Sequence, residues 1–551
     1  HLVVYIEQKE GEKVSIEEVR DYASTKLPKH ALPSYFVFME QFPLTPNGKI
    51  DRRNLPAPTQ TLEERRFDPP KTQTEKKLAK LWATLLKVPR VGREDNFFHI
   101  GGHSILAMQL NSQVKRDFKH PIPVNLIFQK STLRSYAEGI DQILAHGVEA
   151  VFSKKSFDLW RRDEVTLDPT IKGEGAIGAT KEQYTHPKNI FLTGATGFIG
   201  AFFLKDLIEK TEATIHALCR AKDSKEGMER LMKTLKKYHI WKREYKSRIK
   251  AVPGALDVPL LGLQPKAFET LGSEIDSIFH FGAFVNHAMS YQEHRGANVV
   301  GVQEILRLSS THRLKPLHFI STVAVLEGIT EQPAPEDAEI DQSIGLTNGY
   351  VESKWVGEKI IHLAQSRGIP CTILRLPRVS GDSESGSGPE GDFLWRVVQA
   401  SLLLKMAPDV DLYDDLTPVD FICAAILEIS KKEEWINHPF HVISPDHLLY
   451  KDVFMWLKEL GYPLKIVSFA KWKKTLVEEA IKTGDARLQA LASLMADFDL
   501  SKPTQIQKLS FKNLKAALKE RGIECPRIDQ ELFKRYVDYY IKTGFLPKPR
   551  V

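Results

Sequence analysis

The stretch that decides the fold of the larger part of this chain is Ile190-Phe191-Leu192-Thr193-Gly194-Ala195-Thr196-Gly197-Phe198-Ile199-Gly200. Its apolar start predicts a buried strand, its Gly-x-x-Gly-x-x-Gly spacing predicts a tight turn, and its apolar end predicts the start of a helix. Strand-like and helix-like segments alternate beyond it, with further strands expected at 213–218, 277–281, 316–320 and 371–374. This alternation predicts an α/β domain built on a parallel, doubly wound sheet.

The glycine turn is typical of a dinucleotide site, because glycines let the backbone turn tightly and approach a pyrophosphate at a helix N-terminus. The next strand ends in Ala217-Leu218-Cys219-Arg220-Ala221-Lys222. An acidic residue at this tip would bind a ribose 2′-hydroxyl, whereas Arg220, assisted by Lys222, suits a 2′-phosphate and favours NADPH over NADH. The residues expected to line the phosphates are Gly194, Thr196, Gly197, Phe198, Ile199 and Gly200.

Two further motifs supply candidate catalytic groups, Ile320-Ser321-Thr322-Val323 and Gly349-Tyr350-Val351-Glu352-Ser353-Lys354. Tyr350 and Lys354 are four residues apart and share a helix face. We predict that Tyr350 donates a proton, its pKa lowered by the Lys354 ammonium and a nicotinamide charge, and that Lys354 also binds ribose hydroxyls. Thr322 follows a strand and would hydrogen-bond a carbonyl undergoing reduction. Further cofactor-lining candidates at strand ends are Gly282, Ala283, Val323, Pro377 and Val379.

Together the glycine turn, Thr322 and Tyr350-x-x-x-Lys354 resemble the extended short-chain dehydrogenases/reductases. The resemblance implies a reductase over 188–551, with a Rossmann-like part at about 188–380 and a mostly helical substrate-binding part at about 381–551. It also implies a structural role for Asn298. The chain departs from the family near the adenine pocket, where Ala255 stands in place of an aspartate.

Upstream, a second motif is Asn96-Phe97-Phe98-His99-Ile100-Gly101-Gly102-His103-Ser104. A serine before an apolar-periodic segment is often only a helix cap. Within this aromatic frame, however, Gly-Gly-His-Ser resembles the attachment site of a peptidyl carrier protein. The resemblance implies a four-helix carrier bundle at 70–146 and a 4′-phosphopantetheine arm on Ser104, whose phosphodiester suits a helix N-terminus.

The first 57 residues are predicted to form a small α+β subdomain, with strands expected at 2–6 and 35–38. Leu44-Thr45-Pro46-Asn47-Gly48-Lys49-Ile50-Asp51 resembles the last signature of adenylation domains, whose lysine, here Lys49, stabilises an acyl-adenylate. The 551 residues do not include the large adenylation core, so we expect that this chain alone does not activate acids. Residues 147–187 are expected to connect the carrier to the reductase.

This order of units resembles the C-terminal end of a nonribosomal peptide synthetase, and also aminoadipate-reductase-like enzymes. The resemblance implies that NADPH reduces an aminoacyl or peptidyl thioester on the carrier, releasing an aldehyde, or an alcohol after a second reduction. Its partners would be the upstream adenylation core, other synthetase modules and a phosphopantetheinyl transferase. Three alternatives remain open: a carrier-fused epimerase or dehydratase, a non-redox cyclising release domain, and a scaffold whose serine is never modified.

Composition argues against several other functional classes for this chain. A net charge of +7 over 551 residues is too mild to indicate nucleic-acid binding, and the apolar runs are too short for a membrane span. The four cysteines are scattered, without metal-ligand or disulfide-framework spacing, which favours a reducing, cytoplasmic location and no metal. Because no heptads stand out, we expect a monomer.

Overall fold

The computed structural model describes residues 3–7, 14, 19, 35–39, 41–43, 55–56, 67–98, 100–102, 104–120, 122, 126–127, 130–147, 163–175, 177–286, 289–327, 329–342, 346, 348–495 and 508–549. They belong to two compact units, His1–Val151 and Phe152–Val551.

In the first unit, strands β1 (Val3–Glu7) and β2 (Tyr35–Met39) pair in parallel, at the two places where the sequence predicts strands. The Tyr5 hydroxyl donates a hydrogen bond of 2.8 Å to the Pro56 carbonyl. Lys49 and its motif at 44–51 lie outside the described residues.

In the described residues of the carrier segment lie helices α1 (Gln73–Leu86), α2 (Ser104–Phe118) and α3 (Leu133–His146), where the sequence predicts a four-helix bundle. Their shared core is aromatic: the Trp82 ring meets Phe97 edge-on at 5.0 Å and lies 6.2 Å from Tyr136. All three side chains are fully buried. Burying a ring the size of Phe97 contributes about 1.5–3 kcal/mol, so this cluster holds the motif that precedes Ser104 against the bundle.

The second unit is organised around a seven-stranded, wholly parallel sheet. Its strands are β3 (Asn189–Thr193), β4 (Thr214–Cys219), β5 (Ile249–Pro253), β6 (Ser277–His280), β7 (Leu317–Thr322), β8 (Cys371–Leu376) and β13 (Pro439–His441). They lie in the order β13-β8-β7-β6-β3-β4-β5. Five of these strands are those the sequence predicts, and the two outer ones, β5 and β13, are additional.

Helices cover both faces of this sheet, as parallel strands require. One face is packed by α5 (Phe198–Lys210), α6 (Ser224–Lys237), α12 (Val419–Ser430) and α16 (Lys512–Leu518). The other is packed by α7 (Pro265–Glu274), α8 (Tyr291–Arg295), α9 (Gly301–Ser310) and α10 (Gly349–Ser366), with a π-helical turn at Gly296–Val300. Residues beyond 380 therefore also contribute to the sheet layer, through β13, α12 and α16.

A third core belongs to the C-terminal part, where Trp395 stacks on Phe533 at 5.5 Å and lies 4.3 Å from the Tyr540 ring. This region is mostly helical, as the sequence predicts. Its helices are α11 (Phe393–Leu404), α13 (Tyr450–Glu459), α14 (Phe469–Thr483), α15 (Ala486–Met495) and α17 (Gln530–Lys542), and its short strands are β9 (Arg378–Ser380), β10 (Met406–Asp409), β11 (Tyr413–Asp414), β12 (Leu416–Pro418), β14 (Leu448–Leu449) and β15 (Lys465–Ser468).

Residues 163–175 of the predicted connector pack within the second unit, followed by the short helix α4 (Lys181–Thr185). Leu167 and Ile171 are buried in its core. The Arg367 guanidinium donates to the carbonyls of Leu167, Asp168 and Ile171 at 2.8–3.0 Å. Arg307 pairs with the Asp168 carboxylate at 2.7 Å. This part of the connector is therefore held at fixed points.

None of the helices within the described ranges is long and apolar enough to cross a membrane.

Candidate active site

The predicted site residues of the second unit collect at the carboxyl ends of the sheet strands. Gly194 follows β3, Gly282 follows β6 by two residues, and Thr322 ends β7. Pro377 follows β8 directly. Ligands of open parallel sheets bind at this edge, so the topology brings the predicted dinucleotide and catalytic groups to one side of the molecule.

The turn after β3 has the geometry that a dinucleotide phosphate needs. Gly194 has φ +77°, and a Cβ there would lie 2.7 Å from the Phe281 carbonyl carbon. A Cβ on Gly200 would lie 2.2 Å from the Gly194 oxygen. Among the described residues, no side chain caps the N-terminus of α5, so its first N–H groups remain available for an anion. Glycine is required at both positions, and the turn fits a pyrophosphate.

Of the other predicted phosphate-lining residues, Thr196 and Gly197 are exposed on this turn. Phe198 and Ile199 are half-buried and pack against the core beneath it. The Phe198 ring contacts Tyr238 at 5.1 Å. Phe198 and Ile199 therefore offer backbone groups to the site while their side chains stabilise α5.

A buried hydrogen-bond pair fixes the neighbouring turn and was not anticipated from the sequence. The Gly282 N–H donates to Thr193 Oγ1 at 2.9 Å, and Thr193 Oγ1 lies 2.7 Å from His280 Nδ1. Burial lowers the pKa of His280 to about 3, so the imidazole is neutral and its Nδ1 can accept the threonine proton. This contact holds Gly282 and half-buried Ala283 beside the glycine turn.

Arg220 and Lys222 lie exposed immediately beyond β4. The nearby acidic side chains already have partners: the Asp223 carboxylate accepts the Glu226 N–H at 2.8 Å, and the Glu226 carboxylate accepts the Lys222 N–H at 3.1 Å. A third basic residue, Arg230, donates to the Arg220 carbonyl. The tip of β4 therefore presents cationic side chains, as the sequence predicts.

Lys354 joins the helix α10 to the end of β7. Its ammonium donates a 2.6 Å hydrogen bond to the Ile320 carbonyl, two residues before Thr322, and lies 4.0 Å from the centre of the Phe319 ring. The side chain is buried, and burial lowers the pKa of Lys354 to about 7 although Glu358 opposes the shift. This bond brings α10, with Tyr350 one turn before Lys354, to the strand end that bears Thr322.

The predicted lowering of the Tyr350 pKa is wrong for the chain itself: burial raises the pKa of Tyr350 to about 12. The neutral phenol is favoured because the site removes it from water. The Tyr350 ring lies 6.1 Å from the His294 ring, whose Nδ1 is 2.8 Å from the Ser290 carbonyl. Tyr350 is therefore a protonated group throughout the neutral pH range.

Thr322 caps a 3-10 turn, Val323–Leu326, and its Oγ1 accepts the Ala324 N–H at 3.3 Å. Because the hydroxyl oxygen accepts this bond, its own proton is available to a neighbouring acceptor. Val323 is half-buried beside it. Pro377 and Val379 are half-buried after β8, where β9 pairs with β12.

Two buried polar groups support these elements from beneath. Asn298 exchanges bonds of 2.7 and 2.9 Å with the Phe284 backbone and donates to Ser353 Oγ at 2.9 Å, which is the structural role expected of it. The Glu358 carboxylate, one turn after Lys354, pairs with Arg375 at 2.6 Å and accepts from Ser321 at 2.5 Å. The pair was not anticipated from the sequence: Glu358 has a local signal in its four-residue spacing from Lys354, but Arg375 has none.

In the first unit, the turn before α2 is tight. Gly101 has φ +106°, and a Cβ on Gly102 would lie 2.4 Å from the Phe97 ring and carbonyl. The Gly102 N–H donates to the Phe97 carbonyl at 2.9 Å. The helix begins at Ser104, so this residue lies at a helix N-terminus, where a phosphodiester attached to it would be stabilised.

Two family models match the chain. The model described as "Male sterility protein", an NAD-binding family, matches residues 192–426. The model described as "Phosphopantetheine attachment site" matches residues 76–140. The first range contains the glycine turn and the helix that bears Tyr350 and Lys354, and the second contains Ser104.

Among curated proteins, a linear gramicidin synthase from Brevibacillus parabrevis is 37% identical over 557 residues, covering 99% of this chain and 11% of the relative. The chain spans less than half the length of the first curated relatives it matches. Among solved structures, the terminal R domain from the myxalamid PKS-NRPS biosynthetic pathway is 35% identical with a TM-score of 0.67, covering 72% of this chain and all of that one. A thiolation-reductase di-domain from an archaeal non-ribosomal peptide synthetase matches 87% of this chain and all of its own, at 23% identity and a TM-score of 0.65, and supports the fold.

Proposed function

This chain belongs to the family of terminal reductase domains of nonribosomal peptide synthetases, and from that membership we propose that it reduces a thioester held on its own carrier segment and releases an aldehyde. The observation that supports this most strongly is the Lys354 bond to the Ile320 carbonyl. It joins the Tyr350 helix to the end of β7, at the sheet edge where the Gly194 turn can receive a dinucleotide.

The residues would act on the carbonyl as follows. Thr322 donates a hydrogen bond to the carbonyl oxygen, since its Oγ1 already accepts from Ala324 and its proton is available. A reduced nicotinamide, when bound, supplies the hydride that the carbonyl carbon receives. As negative charge develops on the oxygen, Tyr350 transfers its proton there, so the thioester becomes a neutral hemithioacetal. The C–S bond of the hemithioacetal then breaks and its hydroxyl proton passes to the sulfur, which gives the aldehyde and the thiol of the arm, while Tyr350 regains a proton from water.

Lys354 has two parts in this scheme. Its buried position beside Phe319 suits a cation that stabilises developing charge, because electrostatic effects are stronger where water is excluded. It would also bind the ribose hydroxyls of the dinucleotide. Since the Lys354 pKa is about 7 in the chain itself, its charged form is lost as pH rises through neutrality.

We assign NADPH as the preferred dinucleotide. Arg220 and Lys222 are exposed at the end of β4, while Asp223 is engaged in capping α6. A guanidinium and an ammonium at this position suit a 2′-phosphate, whereas the carboxylate that would bind a 2′-hydroxyl is directed to backbone. The phosphate-lining groups would be Gly194, Thr196, Gly197, Phe198, Ile199 and Gly200, with Gly282, Ala283, Val323, Pro377 and Val379 along the nicotinamide half.

The first unit would deliver the substrate. Ser104 at the start of α2 would bear the 4′-phosphopantetheine, added by a phosphopantetheinyl transferase, and the acyl group would come from an upstream adenylation core and further synthetase modules. Tethering makes the reduction intramolecular, which raises the effective concentration of the thioester. The proposal also includes an adenylation role for Lys49 and a monomeric chain. It divides the chain into an adenylation C-terminal subdomain at 1–57, a carrier at 70–146, a connector at 147–187 and a reductase at 188–551.

The direct test is product analysis after the arm has been loaded with an aminoacyl thioester. We expect NADPH consumption and an aldehyde that is captured by a hydroxylamine and identified by mass, with no release from Ser104→Ala, which cannot be loaded. An epimerised or dehydrated product without NADPH loss would favour the epimerase or dehydratase alternative. A cyclised product without NADPH loss would favour non-redox release, and an alcohol would indicate a second reduction.

A further inference from the structure

A buried polar cluster lies beneath the catalytic elements and none of its members takes part in the steps above. Its centre is Glu358, which is fully buried on α10, four residues after Lys354. One carboxylate oxygen accepts two bonds from Arg375, at 2.9 and 2.6 Å, and the other accepts the Ser321 hydroxyl at 2.5 Å. Every carboxylate oxygen is therefore engaged.

The partners of Glu358 belong to the two strands that border the site. Ser321 directly precedes Thr322 on β7, and Arg375 is the next-to-last residue of β8. The Ser321 bond thus connects the residue beside Thr322 to the helix that presents Tyr350 and Lys354. A displacement of this carboxylate would move Thr322 relative to Lys354.

Arg375 extends the cluster to the C-terminal part of the chain. It donates to the Glu336 carbonyl at 2.8 Å and lies 3.0 Å from His441 Nε2. Because Arg375 can only donate, His441 Nε2 accepts, and its Nδ1–H therefore donates to the Ser510 carbonyl at 2.8 Å. Burial lowers the pKa of His441 to about 3, so it stays neutral and leaves Glu358 as the anion paired with Arg375.

We propose that Glu358 is a positioning residue for the reduction, fixing Thr322 through Ser321 and serving as the counter-charge of the buried Lys354 ammonium. This inference rests on the proposed function. Lys354 and Glu358 are neighbours on the helix surface by their i, i+4 spacing. Lys354 also faces neutral His280 on β6, and Tyr350 lies one turn before it on α10. Glu358 faces Arg375 on β8 and, on its own helix, His362 at 4.0 Å, whose pKa is lowered by burial. Arg375 also interacts with the Glu336 carboxyl, whose pKa is raised by burial.

The direction in which Glu358 shifts the pH dependence of activity follows from the charges of Glu358 and Lys354. The negative Glu358 favours protonated Lys354, which supports the reduction, so activity falls as pH rises through the Lys354 pKa. Replacing Glu358 by a neutral isostere lowers that pKa and moves the fall in activity to lower pH. For charges one helical turn apart in a partly shielded interior, the expected displacement is about one to two pH units.

The experiment measures the pH profile of single-turnover hydride transfer in the full chain, using a free acyl-pantetheine thioester and saturating NADPH. Glu358→Gln is expected to move the alkaline limb to lower pH. Ser321→Ala keeps the carboxylate charge, so its limb stays in place while its rate falls about 10-fold from lost positioning, and Ser321→Thr restores part of that rate. Ser309→Ala, which removes a buried hydroxyl bonded at 2.7 Å to the remote Lys315 carbonyl, is the matched control and leaves the rate unchanged.

Two results would overturn the inference. An alkaline limb that stays in place in Glu358→Gln, with its rate reduced equally at every pH, would make the residue purely structural. A wild-type rate of hydride transfer in Ser321→Ala would show that Glu358 does not position Thr322 through Ser321. This measurement can be made even if Glu358→Gln fails to fold. Wild-type protein that oxidises no NADPH would instead refute the proposed function, so the two failures are distinguishable.

Discussion

A substitution at Gly349, the residue before Tyr350, tests whether close packing at the start of α10 positions the proposed proton donor. Adding one methyl group as Gly349→Ala would put a Cβ 2.2 Å from the Tyr291 nitrogen, 2.3 Å from the Ser290 carbonyl carbon and 2.7 Å from the Met289 oxygen. Ordinary contacts begin near 3.4 Å. All three obstacles are backbone atoms, which cannot rotate aside, so α8 or the start of α10 must move by about 1 Å.

A displacement of about 1 Å next to a reacting group can reduce the reaction rate roughly 100-fold. We therefore expect Gly349→Ala to slow hydride transfer by about that factor in a single-turnover absorbance assay. NADPH affinity, measured by fluorescence titration, should stay within about twofold, because the Gly194 turn lies at another strand end. Gly178→Ala is the matched control: it adds the same methyl group where no atom lies within 4 Å.

Hydride transfer at the wild-type rate in Gly349→Ala, with an unchanged melting temperature, would show that this packing does not position Tyr350. A large loss of both NADPH affinity and melting temperature would also contradict this prediction, since the damage would then be to the fold as a whole rather than to the placement of Tyr350.

Two further predictions concern the cofactor and the C-terminal core. The double variant Arg220→Ala/Lys222→Ala should raise the KM for NADPH by about 10-fold or more, because charge-assisted hydrogen bonds are lost, and leave the KM for NADH unchanged. An equal rise in KM for both dinucleotides would contradict the 2′-phosphate assignment. Substitution of an exposed lysine, Lys225→Ala, is the control. Trp395→Ala, which removes a buried ring packed against Phe533 and Tyr540, should reduce the free energy of unfolding by about 3–5 kcal/mol in a denaturant titration, and a loss below about 1 kcal/mol would show that this core repacks around the gap.

The sequence predicted the strands that have strong local signals. The apolar runs at 190–192, 277–281, 316–320 and 371–374 are central strands buried on both faces, where a continuous apolar run is expected. It missed β5, whose Lys250 interrupts the apolar pattern at an exposed edge, and β13, which has only three residues. Both depend on a neighbour already in place, β4 and β8 respectively, and such long-range pairing leaves little local trace.

The site residues also fall into two groups, those with a local sequence pattern and those that only long-range contacts bring together. Glycine spacing and Tyr350-x-x-x-Lys354 are local patterns, and the structure brings their residues to one edge of the sheet. The Glu358–Arg375 pair joins residues seventeen positions apart and continues to His441 and Ser510, so no single motif reveals it. The direction of the Tyr350 pKa shift in the chain itself depends on burial, which raises it and which the local Tyr350-x-x-x-Lys354 pattern does not contain.

In the proposed reaction, Tyr350 protonates the carbonyl oxygen while NADPH reduces the carbonyl carbon. The decisive measurement is NADPH absorbance during a single turnover of the full chain, with an aminoacyl thioester on the Ser104 arm, in wild type and in Tyr350→Phe. We predict one NADPH oxidised per loaded arm with aldehyde release, slowed about 100- to 10,000-fold by the substitution while NADPH still binds. Release from the loaded wild type without NADPH loss, or a Tyr350→Phe variant that turns over at the wild-type rate, would contradict the account.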